Sequence, residues 1–224
     1  MMKLLNSMQL KLLALITMII DHTGAIFFGG QDIYRIIGRL SFPIYCFLLV
    51  EGFFHTKSRE KYAVRLFIFA LISELPFDYA FFGGLNGSHQ NIFFTLFLGL
   101  SAIWISESFR RKNPLISVAG FVGAAVLSTI LNTDYTILGI LYILIFYSAK
   151  SMPHGLKEIY ILLGIGTATS FLSSSIQMYA IFAVIPIMLY NGKPGLGSRL
   201  LQYGFYAAYP VHLMILYLIQ ISMN

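Results

Sequence analysis

The sequence predicts an all-α fold, a polytopic transmembrane helix bundle that forms a single integral membrane domain over residues 1–224. Composition is the first reason, because 58% of the residues are apolar and 11% are charged, whereas soluble domains carry about 25% charged residues. Apolar segments long enough to cross a bilayer also recur along the whole chain. The basic residues that give a net charge of +6 fall between these segments, which membrane topology explains without nucleic-acid binding.

Apolar segments of this kind predict about nine membrane-spanning helices. They are Leu12–Phe28, Tyr34–Phe54, Tyr62–Phe82, Asn91–Phe109, Pro114–Leu131, Tyr135–Ala149, Glu158–Leu172, Gln177–Tyr190 and Leu201–Ile221. The sixth, seventh and eighth are short, so either Ile137–Leu172 or Glu158–Tyr190 can instead form a re-entrant pair. The first segment resembles a signal peptide, but Lys11, Asp21 and His22 interrupt it and no cleavage signal follows. We therefore expect a retained first span.

Lysine and arginine predict the orientation, because short cytoplasmic loops are enriched in both. The predicted cytoplasmic face carries 13 of them, namely Lys3, Lys11, Lys57, Arg59, Lys61, Arg65, Arg110, Arg111, Lys112, Lys150, Lys157, Lys193 and Arg199. The opposite side carries Arg35 and Arg39. A missed helix would reverse the predicted side of every later loop and mix the basic residues of the two faces. Their separation therefore supports nine spans, with the N-terminus in the cytoplasm and the C-terminus outside.

Polar and charged residues inside apolar spans are costly, so they predict a functional site or a buried ion pair. Toward the outer ends of the spans lie Asp21, His22, Asp32, Arg35, Arg39, Glu74, Asp78, His89, Asn91, Asp134, Tyr209 and His212. The arginine pair and the Glu74/Asp78 pair each have a spacing of four residues, so two arginines can face two carboxylates on neighbouring helices. This is either a structural network or a site where His22 transfers protons.

A second charged layer lies toward the cytoplasmic side. Glu51 lies within an apolar span and needs a partner, for which His55 and Arg65 are the candidates. The basic loop near Arg65 can attract a phosphorylated cytosolic molecule such as coenzyme A. The sequence lacks a phosphate-binding glycine loop, the HExxH motif and metal-binding Cys/His spacing, so we expect no metal.

Several segments resemble the TraX family. They are Leu10–Gly24 (LKLLALITMIIDHTG), Arg35–Tyr45 (RIIGRLSFPIY), Leu49–Thr56 (LVEGFFHT), Ser73–Asp78 (SELPFD), Gln90–Leu96 (QNIFFTL), Leu189–Lys193 (LYNGK) and Tyr209–His212 (YPVH). The resemblance covers nearly the whole chain, and its specific part is the first hundred residues. Asp134-Tyr135-Thr136 departs from the family, which has Tyr-Gly after this Asp.

The resemblance implies a membrane acetyltransferase of the bacterial cytoplasmic (inner) membrane that uses acetyl-CoA as co-substrate. The family's conjugation protein N-acetylates the terminal amine of a pilin subunit. Combined with the two charged layers, this leads to a hypothesis in which acetyl-CoA binds on the cytoplasmic side and the acceptor binds on the outer side. The hypothesis assigns catalysis to Asp21, His22, Arg39 and Asp78, acceptor binding to Arg35, Glu74, Asn91, Tyr209 and His212, and acetyl-CoA binding to Glu51, His55, Arg65 and Lys193.

Other functions remain open at this point. An O-acetyltransferase of a cell-surface glycan would use the same chemistry on a hydroxyl group. A small proton- or cation-coupled transporter would need a continuous polar path, whereas the residues between Leu40 and Val50 form an apolar gap. A structural subunit would pair all its charges. The expected partners are the lipid bilayer and a peptide, pilin or glycan acceptor, and no nucleic acid; the oligomeric state stays open.

Overall fold

The computed structural model describes residues 4–29, 31–173 and 175–223, which are almost entirely helical. These residues form α1 (Ser7–Phe27), α2 (Asp32–Gly38), α3 (Ser41–His55), α4 (Arg59–Phe82), α5 (Ile92–Phe109), α6 (Pro114–Ile130), α7 (Thr136–Ala149), α8 (Leu156–Leu172), a 3₁₀-helix (Ser175–Ala183), α9 (Val184–Met188) and α10 (Arg199–Met223). The all-α prediction is confirmed. Lys3, predicted to be cytoplasmic, lies outside the described residues.

Among the described residues, four helical segments are long and apolar enough to cross a membrane. They are Ser7–Phe27, Asp32–His55 (α2 together with α3), Ile92–Phe109 and Leu200–Met223. Helices α6 and α7 are apolar but shorter; at about 1.5 Å per residue, α7 covers about 21 Å of a hydrocarbon layer that is about 30 Å thick. Helix α4 has 24 residues, but its charged residues, which include Arg65, Glu74 and Asp78, make it much less apolar.

Two of the nine predicted spans are not single α-helices. The predicted span Tyr34–Phe54 is divided into α2 and α3 at Arg39 and Leu40. Pro43 explains the break, because it has no N–H to donate to the carbonyl group of Arg39 but fits the first turn of a new helix. The predicted span Gln177–Tyr190 consists of the 3₁₀-helix and the short α9, in which Pro186 has the same effect.

Short polar side chains cap the helices that frame the interior. Asn6 accepts a hydrogen bond from the backbone N–H of Gln9 at 3.0 Å, and the Gln9 side-chain oxygen accepts one from the backbone N–H of Asn6 at 2.9 Å. Asn91 caps α5 by accepting from the backbone N–H of Phe93 at 3.0 Å. Both are common N-terminal caps, each worth about 1 kcal/mol. They fix the starting points of α1 and α5, which both contribute to the candidate site.

Helix α3 is the central element of the bundle. It packs against α1, α5, α7 and the 3₁₀-helix, and eleven of its fifteen residues are buried. Such all-round burial is typical of a helix that is apolar on every side. Side chains at its start, such as Ser41 and Phe42, are buried, whereas Phe54 and His55 at its end are exposed.

The two ends of the bundle differ in their polar groups, and each takes a name from them. The basic end is the end that carries Lys11, Arg65, Lys150 and Lys193. There the residues before α1 are joined to the segment after α9, since the N–H of Leu5 donates to the carbonyl group of Leu189 at 2.9 Å. The Asp21 end is the opposite one and carries Asp21, Arg39, Asp134 and His212.

Helices α1 and α2 approach closely because each has a glycine at the contact. A Cβ atom at Gly38 would lie 2.1 Å from a carboxylate oxygen of Asp21, and one at Gly24 would lie 2.1 Å from the Cβ of Tyr34. Small residues permit such close contact between membrane helices. Gly38 thus lets α2 pack directly over the Asp21 carboxylate.

The Gly38→Ala variant should destabilise the protein, because the added methyl group displaces either Asp21 or α2. Overpacking of this kind costs about 1–3 kcal/mol. Thermal unfolding in detergent should show a lower midpoint for Gly38→Ala than for the wild type. Gly123→Ala is the control, since a Cβ at this α6 position meets no atom within 4 Å. Equal midpoints for both variants would contradict the close packing.

Candidate functional site

One large cavity lies inside the bundle and reaches both of its ends. Its volume is about 850 Å³, which is within the range of about 300–1,000 Å³ for small-molecule sites. At the Asp21 end it is lined by Asp21, His22, Arg35, Arg39, His89 and Asp134, and at the basic end by Lys11, Glu51, His55 and Arg65. The two charged layers therefore share one interior space.

The predicted apolar gap between Leu40 and Val50 does not separate these layers. Phe42, Tyr45 and Leu49 lie in this segment and line the cavity themselves. The apolar gap is therefore present in the cavity wall, but it does not close the cavity, because apolar residues along one helix do not exclude an open space between that helix and its neighbours. The cavity is polar at both ends, with apolar side chains contributing to its wall in between.

Asp21 is the centre of the charged cluster at its end. Its two carboxylate oxygens accept hydrogen bonds from Arg35 at 2.8 Å and from Arg39 at 2.7 Å, and its side chain is 10% exposed. Arg39 also donates to the side-chain oxygen of Gln177 at 2.8 Å and to the carbonyl oxygen of Arg35 at 3.1 Å. The expected pairing of both arginines with Glu74 and Asp78 is therefore wrong, because α2 packs over α1.

Glu74 and Asp78 instead hold the loop between α4 and α5. Glu74 accepts a hydrogen bond from the backbone N–H of Asn91 at 2.9 Å and another from the Asn91 side chain. Asp78 accepts from the backbone N–H of Asn86 at 2.9 Å. The described lining of the large cavity does not include Glu74, Asp78 or Asn91. Their position favours a role in shaping the loop.

His22 forms a pair with His212, which the sequence did not predict. Nδ1 of His212 lies 2.7 Å from the carbonyl oxygen of Ala208, and because a carbonyl oxygen can only accept, this nitrogen donates. In a neutral pair, Nε2 of His212 then accepts from Nδ1 of His22, which is 2.7 Å away. Nε2 of His22 is left with a free lone pair. His22 lines the cavity, and the ring of Tyr209 packs against both histidines.

At the basic end, Glu51 pairs with Lys150 at 2.5 Å. Nδ1 of His55 is 3.9 Å from the second carboxylate oxygen of Glu51 and 2.7 Å from its backbone oxygen. The expected partner His55 is therefore secondary, and Arg65 forms no ion pair with Glu51. The main partner was missed because Lys150 lies 99 residues away in the chain.

Two cations face the cavity at the basic end without a carboxylate beside them. Arg65 lies over the ring of Tyr62, 5.6 Å from its centroid, and the Lys11 nitrogen lies 5.7 Å from the centroid of Phe205. In the part of the chain that the structure describes, neither forms an ion pair. Lys193 is exposed and lies next to the lining. This end can therefore hold an anionic molecule.

The turn between α6 and α7 places Asp134 at the cavity. The N–H of Asp134 donates to the carbonyl oxygen of Gln90 at 2.8 Å, and its own carbonyl oxygen accepts from the hydroxyl of Thr95. Tyr135 and Thr136 have φ angles of 63° and 40°, which non-glycine residues rarely adopt. Burial raises the pKa of Asp134, while the charges of His89 and Arg39 lower it. Tertiary contacts thus fix a strained turn around a buried carboxylate.

Potential metal ligands are scattered in this protein. Within residues 4–29, 31–173 and 175–223, no three His, Cys, Asp or Glu side chains come close enough together to hold a metal ion. The site in the large cavity instead combines a paired histidine base, an arginine held by a carboxylate and two cations at the far end. Such a set can transfer protons and bind anions.

Comparisons with known proteins identify relatives along nearly the whole chain. The family model described as TraX protein matches residues 6–220. The probable fimbrial assembly protein FimC, serogroup H1, of Dichelobacter nodosus is 31% identical over 239 residues, which cover 94% of this chain and 94% of the relative. The uncharacterized protein RP591 of Rickettsia prowazekii (strain Madrid E) is 30% identical over 129 residues, 58% of this chain and 48% of the relative.

No solved structure gives a significant match to the chain. The resemblance seen in the sequence is confirmed by the family model, which extends from the start of α1 almost to the end of α10. The chain therefore belongs to the TraX protein family.

Proposed function

We propose that this protein is a membrane-embedded acetyltransferase that moves an acetyl group from cytosolic acetyl-CoA to an acceptor amine, such as a peptide or pilin N-terminus. The observation that carries the proposal is the single cavity whose lining includes cations at one end and a histidine base at the other. Membership of the TraX family supports it. A relative named as a probable fimbrial assembly protein supports a protein acceptor.

The proposal includes a topology of nine membrane crossings in the bacterial cytoplasmic membrane. The basic end then faces the cytoplasm, because lysine and arginine are enriched in short cytoplasmic loops. The Asp21 end faces outward, with the C-terminus on the same side. Helices as short as α7 can cross where the bilayer thins locally, at a modest free-energy cost.

Acetyl-CoA enters from the basic end in this proposal. Its phosphate groups are anions, and Lys11 and Arg65 are cations that line the cavity without a carboxylate partner among the described residues. Charge-assisted hydrogen bonds to phosphate are stronger than neutral ones. The acetyl thioester then extends along the cavity toward the Asp21 end, and His55 lies beside the entrance.

The proposed reaction uses His22 as the base. Nε2 of His22 takes a proton from the acceptor ammonium, and the amine nitrogen bonds to the thioester carbon. The carbon–sulfur bond then breaks, and the coenzyme A thiolate takes the second proton from nitrogen. An ammonium and a thioester thus give an amide, a thiol and one proton, which His22 releases. His212 accepts the hydrogen bond that fixes the tautomer of His22.

In this proposal Arg39 stabilises the oxyanion that forms in the reaction. A guanidinium has five N–H donors, and three of them bond Arg35, Gln177 and Asp21, which leaves two. Donors that are fixed before the reaction stabilise developing charge most effectively. Asp21 orients this arginine and does not itself need to meet the substrate.

The His22→Ala variant should lose acetyl transfer, because it removes the proposed base, while acetyl-CoA binding and folding persist. Purified protein, labelled acetyl-CoA and a peptide with a free amino terminus provide the assay. We expect a loss of at least about 100-fold, as for other general bases. The control is His154→Gln, which changes an exposed histidine that pairs with Glu158. Near-normal transfer by His22→Ala would rule out this assignment.

The Arg65→Gln variant should bind acetyl-CoA about tenfold more weakly, which corresponds to about 1.4 kcal/mol, because one charge-assisted contact is lost. Isothermal titration calorimetry of the purified protein measures the dissociation constant of acetyl-CoA. Lys61→Gln is the control, since Lys61 is exposed at the start of the same helix. If both variants bind as the wild type does, the phosphates do not contact Arg65.

A proton- or cation-coupled transporter is the second candidate, and the continuous cavity favours it because transport needs a path between the two ends. Proteoliposomes distinguish the two functions. A transporter would move protons or cations without acetyl-CoA, and His22→Ala would slow this flux. An acetyltransferase would form a covalent product and show no such flux.

A further inference from the structure

A second, smaller cavity lies beside the large one at the Asp21 end. Its volume is about 300 Å³. Arg39, Asp134 and Tyr135 line both cavities, so these three residues form the boundary between them. Leu138 and Gln177 line the smaller cavity from its other sides. A group bound there would be separated from the interior of the large cavity by this boundary alone.

The charges of Arg39 and His89 act on the Asp134 carboxylate at this boundary, but neither residue forms an ion pair with it. Arg39 directs its ion pair to Asp21 at 2.7 Å, and in the described residues Asp134 takes part in no ion pair. Buried charges in proteins are normally paired. The structure therefore leaves Asp134 with the capacity to bind a cation that enters either cavity.

Gln177 adds a hydrogen-bond donor to the lining of the smaller cavity. Its side-chain oxygen accepts from Arg39 at 2.8 Å, and its buried Nε2 has no hydrogen-bond acceptor at normal geometry. The Tyr142 hydroxyl lies close to it, but an amide nitrogen has two N–H groups, so at least one is free. A ligand carbonyl group that enters the cavity would supply the missing acceptor.

We infer that the smaller cavity binds the first residue of a peptide acceptor, with Asp134 holding its ammonium group and Gln177 donating to its first carbonyl group. The inference rests on the proposed acetyltransferase function and names the residues that hold its acceptor. A carboxylate at this point favours a charged amine over the neutral hydroxyl group of a sugar. The cavity volume suits one or two residues and excludes a folded domain, so the acceptor presents a free chain end.

Because the boundary adjoins the large cavity, this binding mode also determines how the acceptor amine reaches the reaction centre. The ammonium at Asp134 faces the large cavity, which His22 also lines. The proton that leaves the ammonium passes to Nε2 of His22, and the nitrogen then bonds to the thioester carbon as described above. Asp134 holds the acceptor but takes no proton in this scheme, so it is a binding residue.

The first test compares two peptides on the wild-type protein. One has a free amino terminus, and the other has the same sequence with a hydroxyl group in place of the terminal amine. Calorimetry at neutral pH should give binding at least about tenfold weaker for the hydroxyl peptide. Equal affinities would overturn the inference. Because no acetyl-CoA is present, the result does not depend on whether the protein is an acetyltransferase.

The second test changes the carboxylate. Asp134→Asn should raise the KM for the amino-terminal peptide at least about tenfold, with the affinity for acetyl-CoA unchanged, and Asp134→Glu should restore part of the loss. The matched control is Asp32→Asn, which removes an exposed carboxylate from the start of α2 at the same end. An unchanged KM in Asp134→Asn would overturn the inference. Failure of the wild type to bind acetyl-CoA would instead contradict the proposed function.

Discussion

The buried carboxylate of Asp21, bound by both Arg35 and Arg39, is the interaction on which the organisation of the Asp21 end depends. Removing one partner from such a cluster leaves an uncompensated charge, which typically costs about 3–5 kcal/mol. The interaction holds α2 against α1 at the point where Gly38 leaves room for it. It also fixes Arg39 at the boundary of the two cavities. One ion cluster therefore determines both the packing of two helices and the position of the proposed oxyanion donor.

Much of the fold could be predicted from the sequence, whereas the pairing of its polar groups could not. Composition and apolar segments predicted the helices, and short sequence motifs predicted the family. A spacing of four residues shows that Arg35 and Arg39 share a helix face, but it does not say which helix that face meets. Three contacts join distant parts of the chain, and they could not be read from local patterns: His22 with His212, Glu51 with Lys150, and Arg39 with Gln177. The break between α2 and α3 could have been predicted from Pro43, since proline removes a helical hydrogen bond.

The cavity changes how the two charged layers are interpreted. In the sequence they are two layers separated by an apolar gap, but as two ends of one space they would allow a donor and an acceptor to meet inside the bundle. The proposed roles follow the chemistry of the lining, which has cations for phosphate at the basic end and, at the other end, His22, Arg39 and the Asp134 carboxylate, which forms no ion pair among the described residues. Glu74, Asp78 and Asn91 support this arrangement from outside the cavity by fixing the loop before α5.

The central claim is that acetyl-CoA and the acceptor reach one reaction centre from opposite sides of the membrane. The most direct measurement uses sealed proteoliposomes with labelled acetyl-CoA outside and the acceptor peptide trapped inside, together with the reverse arrangement. Neither reactant crosses a lipid bilayer unaided. The protein inserts into the vesicles in both orientations, so in each arrangement some molecules have their basic end facing acetyl-CoA. The account predicts labelled peptide in vesicles with wild-type protein and none with His22→Ala. Labelled peptide that forms only when both reactants share one compartment would contradict it.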